Sequence, residues 1–315
     1  MRLLRWEAVL ALALIADLFF NSLVSPYFFN LWTLSDATYQ FTEKAIVALP
    51  LALLVIAGEI DISVAGIIAL ASVAMGLAAG HGVETSALIA IGLATGLIAG
   101  AVNGMLVTVF KVPSIVATIG TMSLFRGTAY AILGDRVLKG YPASFAVFGQ
   151  GYAFGPVTVE LALLLILAAL AVLALHYSRF GRGIYAIGAN AIASRWSGLA
   201  VDRYRFVLFA LTGLMSGIAA ILLTSRLGST RPSIAQGWEL EIVSIVILGG
   251  VAVTGGKGTI WGVLLAAMLL GFVQFGLGLL NVPGIVMSIV IGALLIAVVA
   301  VPALSAHRAG RVTLS

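Results

Sequence analysis

Ten apolar stretches joined by short polar connections run along this sequence, and they leave little from which a water-soluble core could be wrapped. They lie at about Trp6 to Val24 and near 44–58, 62–80, 86–110, 114–133, 159–178, 206–225, 239–254, 259–280 and 284–302. Since about 20 apolar residues cross a hydrocarbon core of roughly 30 Å, most of these stretches are long enough to be membrane spans. With 62% of residues hydrophobic and 9% charged, the chain has no stretch suited to a soluble domain. The prediction is an all-α polytopic membrane helical bundle of about ten transmembrane helices, forming one domain over 1–315. The stretches beginning at Lys44 and Glu239 are short or start with charge, so eight or nine complete spans with broken segments is the alternative.

Charge predicts the topology. A polar island at 179–205 carries Arg179, Arg182, Arg195, Arg203 and Arg205, five of the 17 Lys and Arg residues, against one acid, Asp202. Basic loops between spans are retained in the cytoplasm. The same assignment puts Arg2, Arg5, Lys111, Lys257, Arg308 and Arg311 inside, with both termini cytoplasmic and an uncleaved first span. These loops account for the net charge of +5, and no basic face interleaved with aromatics suggests nucleic acid. The longest non-cytoplasmic connection, 134–158, is rich in Gly, Pro and aromatics, as an ordered cap on the membrane surface would be. The absence of cysteine removes disulfide and thiolate chemistry.

Glycines at 92, 96, 100 and 104 leave one helix face as bare backbone, which suits close packing, with Asn103 beside it as a polar contact in the bundle interior. The segment GEIDISVAG, 58–66, sets Glu59, Asp61 and Ser63 between two apolar runs. Charge at membrane depth faces water or protein, so these residues are candidates for a translocation pathway. The plainer reading is that Asp61 or Ser63 caps a helix that starts past a break. Along 111–127, Pro113 begins a helix bearing Ser114, Thr118, Thr121 and Ser123. These hydroxyls either bond back to their own helix or line the pathway, and Arg126 is expected to snorkel to the interface.

The run TGGKGT, 254–259, fails as a phosphate loop because Val251 and Gly258 stand where Gly and Ser or Thr are required. The chain is therefore expected to have no ATP site. His81, His176 and His307 fall in separate loops and neither HExxH nor GxSxG occurs, so no metal site or catalytic constellation is expected.

Five segments in order resemble the carbohydrate-uptake permeases of bacterial ABC importers, which handle ribose, xylose, galactose, rhamnose and the quorum signal autoinducer-2. They are GEIDISVAG (58–66), NGMLV (103–107), PSIVATIGT (113–121), GRGIYAIGANAIASRWSGL (181–199) and VILGGVAVTGGKGTIWG (246–262). Ala65 departs from the Gly more common in the acidic motif. The resemblance implies a vitamin-B12-importer-like, type II permease architecture in the bacterial inner membrane. It also implies a separate ATPase that holds ATP and Mg, a periplasmic sugar-binding protein, and a second permease copy or paralogue.

In such permeases the island docks on the ATPase, which makes Gly181, Arg182, Tyr185, Gly188, Ala189, Asn190, Ala193 and Gly198 the coupling candidates. The small side chains of Ala189, Ala191, Ala193 and Gly198 suit entry into a partner's groove. Asp135, Arg136, Lys139, Arg226 and Arg231 fall on the outer side of the ten-span arrangement as docking charges for the binding protein. Residues 225–250 and 275–295 look most like rhamnose permeases, with autoinducer-2 or another sugar or polyol as the alternative cargo. The rival classes are an ion-coupled secondary transporter, against which the lack of regularly spaced intramembrane acids argues, and a membrane scaffold.

Overall fold

The computed structural model describes residues 2–25 and 27–284, with 286, 287, 289, 290, 292, 293 and 296 beyond them. The expected last span near 284–302 lies mostly outside the described residues, as do Arg308 and Arg311. The described helices are α1 (Arg2–Val24), α2 (Leu31–Thr38), α3 (Thr42–Ile56), α4 (Val64–Gly80), α5 (Thr85–Thr108), α6 (Ser114–Leu133), α7 (Val147–Gln150) and α8 (Val159–His176). They continue with α9 (Arg179–Ala189), α10 (Ala191–Trp196), α11 (Val201–Leu227), α12 (Trp238–Leu248) and α13 (Ile260–Leu279).

Six of these helices, α1, α5, α6, α8, α11 and α13, are long and apolar enough to cross a membrane, and α2 with α3 forms a seventh candidate bent by 49°. The expectation of about ten is therefore not met among the described residues. Two apolar stretches are too short as helices: α4 has 17 residues, and α12 has 11 because the chain turns at Gly249 and Gly250, the latter at φ +83°. The chain is a multi-pass membrane protein in which irregular backbone interrupts several apolar runs.

The centre of the bundle is α3, all fifteen residues of which are buried. In lipid, burying more hydrocarbon does little to hold helices together, so close backbone approach and polar contacts must do so. The α5 glycine face meets α11, where Gly213 and Gly217 repeat the four-residue spacing. A Cβ built on Gly96 would lie 2.8 Å from Gly217 Cα, and one on Gly100 2.8 Å from Gly213 Cα. At this crossing only hydrogen fits. Helices α1 and α13 pack side by side and run in the same direction, tied by Asn21 Nδ2 donating to Phe272 O at 3.3 Å and by the Thr259 hydroxyl donating to Glu7.

The two ends of the bundle differ. One gathers the α3–α4 break, the 109–113 turn, α9, α10 and the 249–259 turn. The other carries the 134–158 connection, which folds as a 3₁₀ turn at Ala143–Ala146, α7, and a hairpin of β1 (Tyr152–Phe154) and β2 (Val157–Thr158). Ser225 Oγ on α11 donates to Phe145 O at 2.6 Å and accepts from Gly149 N at 2.8 Å, which fastens this cap to the bundle. Burial pushes the Tyr141 phenol up to about 12, and its hydroxyl lies 2.5 Å from Thr230 Oγ1. Exposed Tyr27 and Trp32 sit at the same end, as amphipathic rings do at a membrane interface, together with exposed Phe29 and Phe154.

Candidate functional site

Helix α3 stops at Ile56, and Gly58 at φ +85° turns the chain into an extended stretch that ends where α4 begins. A break of this kind frees backbone groups, and the acidic motif supplies partners for them. Asp61 Oδ1 accepts from Ser63 N at 2.8 Å and from Ser63 Oγ at 2.6 Å, while Ser63 Oγ accepts from Asn103 Nδ2 at 2.7 Å. The capping work thus falls to Asp61. Ser63, in the cap position itself, uses its hydroxyl to join the break to α5. All three residues are fully buried, and Asp61 Oδ2 and Asn103 Oδ1 are left without a hydrogen-bond partner. Glu59 forms an ion pair with Arg205 of α11 at 3.0 Å.

The hydroxyls of α6 bond backwards. Thr118 Oγ1 donates to Ser114 O at 2.8 Å and Thr121 Oγ1 to Thr118 O at 3.3 Å, all on a buried face, while Ser114 Oγ accepts from Ile60 N at 3.4 Å. Ser123 is exposed instead. Arg126 does not reach for an interface. Its Nη1 donates to Pro232 O and Ile234 O, both at 2.8 Å, and its Nη2 to Ala65 O at 3.0 Å. The irregular 229–237 segment needs donors for these carbonyls, and that need draws the guanidinium inward.

The island folds as two short helices. Ser178 Oγ caps α9 by accepting from Gly181 N at 3.1 Å, and Asn190 Oδ1 caps α10 by accepting from Ala193 N at 2.9 Å. The eight coupling candidates separate into two sets. Gly181, Tyr185 and Gly188 turn toward the bundle: Tyr185 donates to Gly258 O at 2.7 Å, and a Cβ at Gly188 would land on Ile56 O and Gly256 N. Burial pushes the Tyr185 phenol up, which keeps it a neutral donor. Arg182, Ala189, Asn190, Ala193 and Gly198 face outward. With them α10 exposes Ile192 at 72% and Trp196 at 88%, one turn apart. Both anchors stand in the motif, but a single sequence does not tell an exposed apolar residue from a buried one.

At the opposite end Asp135, Arg136, Lys139 and Arg231 are exposed, whereas Arg226 is not a free charge. Its guanidinium binds Glu43 through Nη2 at 2.7 Å and Nε at 2.8 Å, and it lies 5.7 Å from the Tyr39 ring centre. Glu43 is buried and needs that cation, so Arg226 is held against α3 instead of toward a partner.

Residues 33–299 match the family model described as branched-chain amino acid transport system / permease component. Among curated proteins the chain is 35% identical to the autoinducer 2 import system permease protein LsrD of Yersinia enterocolitica over 309 residues, covering 96% of this chain and 93% of that relative. The proteins of the same name from Salmonella typhimurium and Klebsiella pneumoniae are each 34% identical, and the chain covers 93% of each. No solved structure matches.

Proposed function

Because the chain belongs to the branched-chain amino acid transport system / permease component family, we propose that it is the permease subunit of a bacterial ABC importer for a small hydroxylated molecule. The expected assignment to carbohydrate-type ABC permeases stands, and the chain is a transport subunit without enzymatic activity. Rhamnose finds no support in the relatives described above. Their names favour a cargo of the autoinducer-2 kind, which is the alternative named from the sequence.

The observation that carries the mechanism is the exposed apolar face of α10 beside the outward residues of α9. It offers a separate ATPase, the holder of ATP and Mg, two apolar anchors in a polar surround. On this reading the α9–α10 end is cytoplasmic, as the positive-inside rule requires of the island arginines. The cap at 134–158 then faces the periplasm of an inner-membrane protein. Asp135, Arg136, Lys139 and Arg231 meet the binding protein there, and a second permease copy or paralogue completes the pathway. Glu59, Asp61, Ser63 and Asn103 connect the coupling end to α4 and α5 and shape the inner part of that pathway, without carrying protons.

The test is co-purification from native membranes followed by reconstitution. An ATPase and a binding protein should accompany the chain, and vesicles holding all of them should take up autoinducer-2 only when ATP is inside the ATPase compartment. Uptake without any ATPase, driven by an ion gradient, would refute the proposal.

A further inference from the structure

Helix α8 does not close on the bundle along its whole length. Its Leu170, Ala171 and Ala174 face Pro50 of α3 and Leu211 and Met215 of α11 across an open-sided cavity of about 220 Å³. The two alanines contribute only methyl groups where a larger side chain would reach α3. All the walls are hydrocarbon apart from the Met215 thioether, so water finds no partner there. A cavity of about 150 Å³ with such walls stays dry and takes a benzene-sized hydrocarbon instead. Leu170, near the middle of α8, is 57% exposed, so the cavity opens through the side of the bundle onto lipid.

At the α9 end, below the cavity, Phe180 of α9 stacks on Tyr204 of α11 with 4.9 Å between ring centres and 12° between planes. Tyr204, Leu211 and Met215 follow one another at spacings of a helical face, so the stack lies in line with the groove. Each ring is preceded in the chain by an exposed arginine, Arg179 and Arg203. Exposed Tyr177, at the end of α8, marks the level of the membrane interface beside them. Among the described residues neither guanidinium has a carboxylate partner, because the island's acid, Asp202, is taken by Lys111 and Arg195. Two unpaired cations at headgroup level, with a hydrocarbon slot beginning about 12 Å of helix rise above Arg203, match the two ends of one amphiphile.

We propose that this groove holds one acyl chain of an anionic phospholipid from the cytoplasmic leaflet, with its phosphate on Arg179 and Arg203. An acyl chain gains little by leaving bulk lipid for an apolar slot, so the slot alone gives no preference among lipids. The arginines supply one: a basic residue near the surface favours an anionic headgroup about fivefold, and two favour it about 30-fold. The slot then fixes where that lipid stays. It wedges α8 against α3 and α11, and α8 leads directly into α9, so the lipid stiffens the base on which the coupling helices stand. The leaflet rests on the orientation proposed above, whereas the groove and its arginines are independent of what the permease carries.

The experiment uses the full chain in detergent micelles, stripped of native lipid and titrated with dioleoylphosphatidylglycerol or dioleoylphosphatidylcholine, with thermal unfolding and native mass as readouts. One phosphatidylglycerol should remain bound in the native mass spectrum and should raise the melting temperature at about 30-fold lower concentration than phosphatidylcholine. Arg179→Gln combined with Arg203→Gln, both at exposed positions, should erase that preference and leave the response to phosphatidylcholine unchanged. Ala171→Leu, which fills the slot, should weaken both lipids together, and Ala174→Leu serves as a second filling variant. Inorganic phosphate and dioleoylglycerol, added separately, should each fail to stabilise the chain, because neither carries both ends.

Equal affinity of the wild-type chain for the two phospholipids, or a preference that survives loss of both arginines, would overturn the proposal. Undiminished lipid binding in folded Ala171→Leu and Ala174→Leu would overturn it as well. So would a dimer in the native mass spectrum that Ala171→Leu converts to monomer, since the groove would then seat a second copy. None of these results touches the permease reading, which falls on uptake that needs no ATPase.

Discussion

Trp196 allows the proposed coupling surface to be tested with a single substitution. Its side chain stands 88% exposed at the end of α10, so Trp196→Ala removes an anchor without opening a hole in the bundle. A Trp side chain carries about 150–250 Å² of surface, and at roughly 25 cal/mol per Å² its full burial against a partner is worth at most about 4–6 kcal/mol. Interface anchors typically cost about 2–4 kcal/mol when truncated, so ATPase affinity should fall by about 30- to 700-fold. The assay is titration of the purified ATPase against the chain in nanodiscs, alongside thermal unfolding of the chain alone. Affinity should collapse while the stability of the chain stays within the roughly ±0.5 kcal/mol expected of a surface change. Unchanged affinity, or loss of affinity that tracks loss of stability, would refute the assignment of this face.

Three further outcomes follow from the geometry. Gly96→Ala should destabilise the protein by about 1–3 kcal/mol in detergent melts, because its Cβ meets α11 backbone, whereas Gly127→Ala, with open space at that point, should be silent. Asp61→Asn keeps an acceptor for Ser63 and should transport far better than Asp61→Leu; equal loss in uptake assays would mean that the charge itself is essential. Burial raises the Tyr141 phenol to about 12, so its neutral form is favoured in the fold. That contribution is complete below the unfolded value near 10 and is lost as pH rises from about 10 through 12. The stability difference between wild type and Tyr141→Phe should therefore shrink across that window, and a constant difference would contradict it.

Much of this was legible in the sequence, and the remainder was lost for identifiable reasons. A four-residue glycine period reports a bare helix face whatever lies opposite, so the α5 face could be read directly. Its partner glycines, 213 and 217, sit more than a hundred residues away and were not connected to it. The acidic motif announced a break, and the choice between capping and conduction depended on Ser63 bonding to Asn103. Arg226 looked like a surface charge because its partner, Glu43, is 183 residues distant along the chain. Among the described residues, hydropathy marked more stretches as spans than there are helices long enough to cross, because an apolar run can be interrupted by irregular backbone. The stretch near 239–254 is apolar enough for a span, but its helix starts after an irregular segment and stops at two glycines. Island residues 201–205 proved to be the first turn of α11 instead of loop.

The meeting of Gly188 with Ile56 and Gly256 has a mechanical consequence. Gly256 N donates to Ile56 O at 2.8 Å, and Gly188 closes over both, so at this point α9, the end of α3 and the 249–259 turn touch through main chain, beside the Tyr185 bond to Gly258 O. A joint between side chains can absorb a push by hopping between rotamers, which gives it slack. A joint of peptide groups has no rotamers to hop, and its planar units resist distortion. Displacement of α9 is therefore handed on almost undiminished to α3 and, one residue past Ala57, to the Gly58 hinge. The fold has placed its stiffest connection beside its most pliable one, so strain applied at the island is released as rotation at the break and not as compression of the helices.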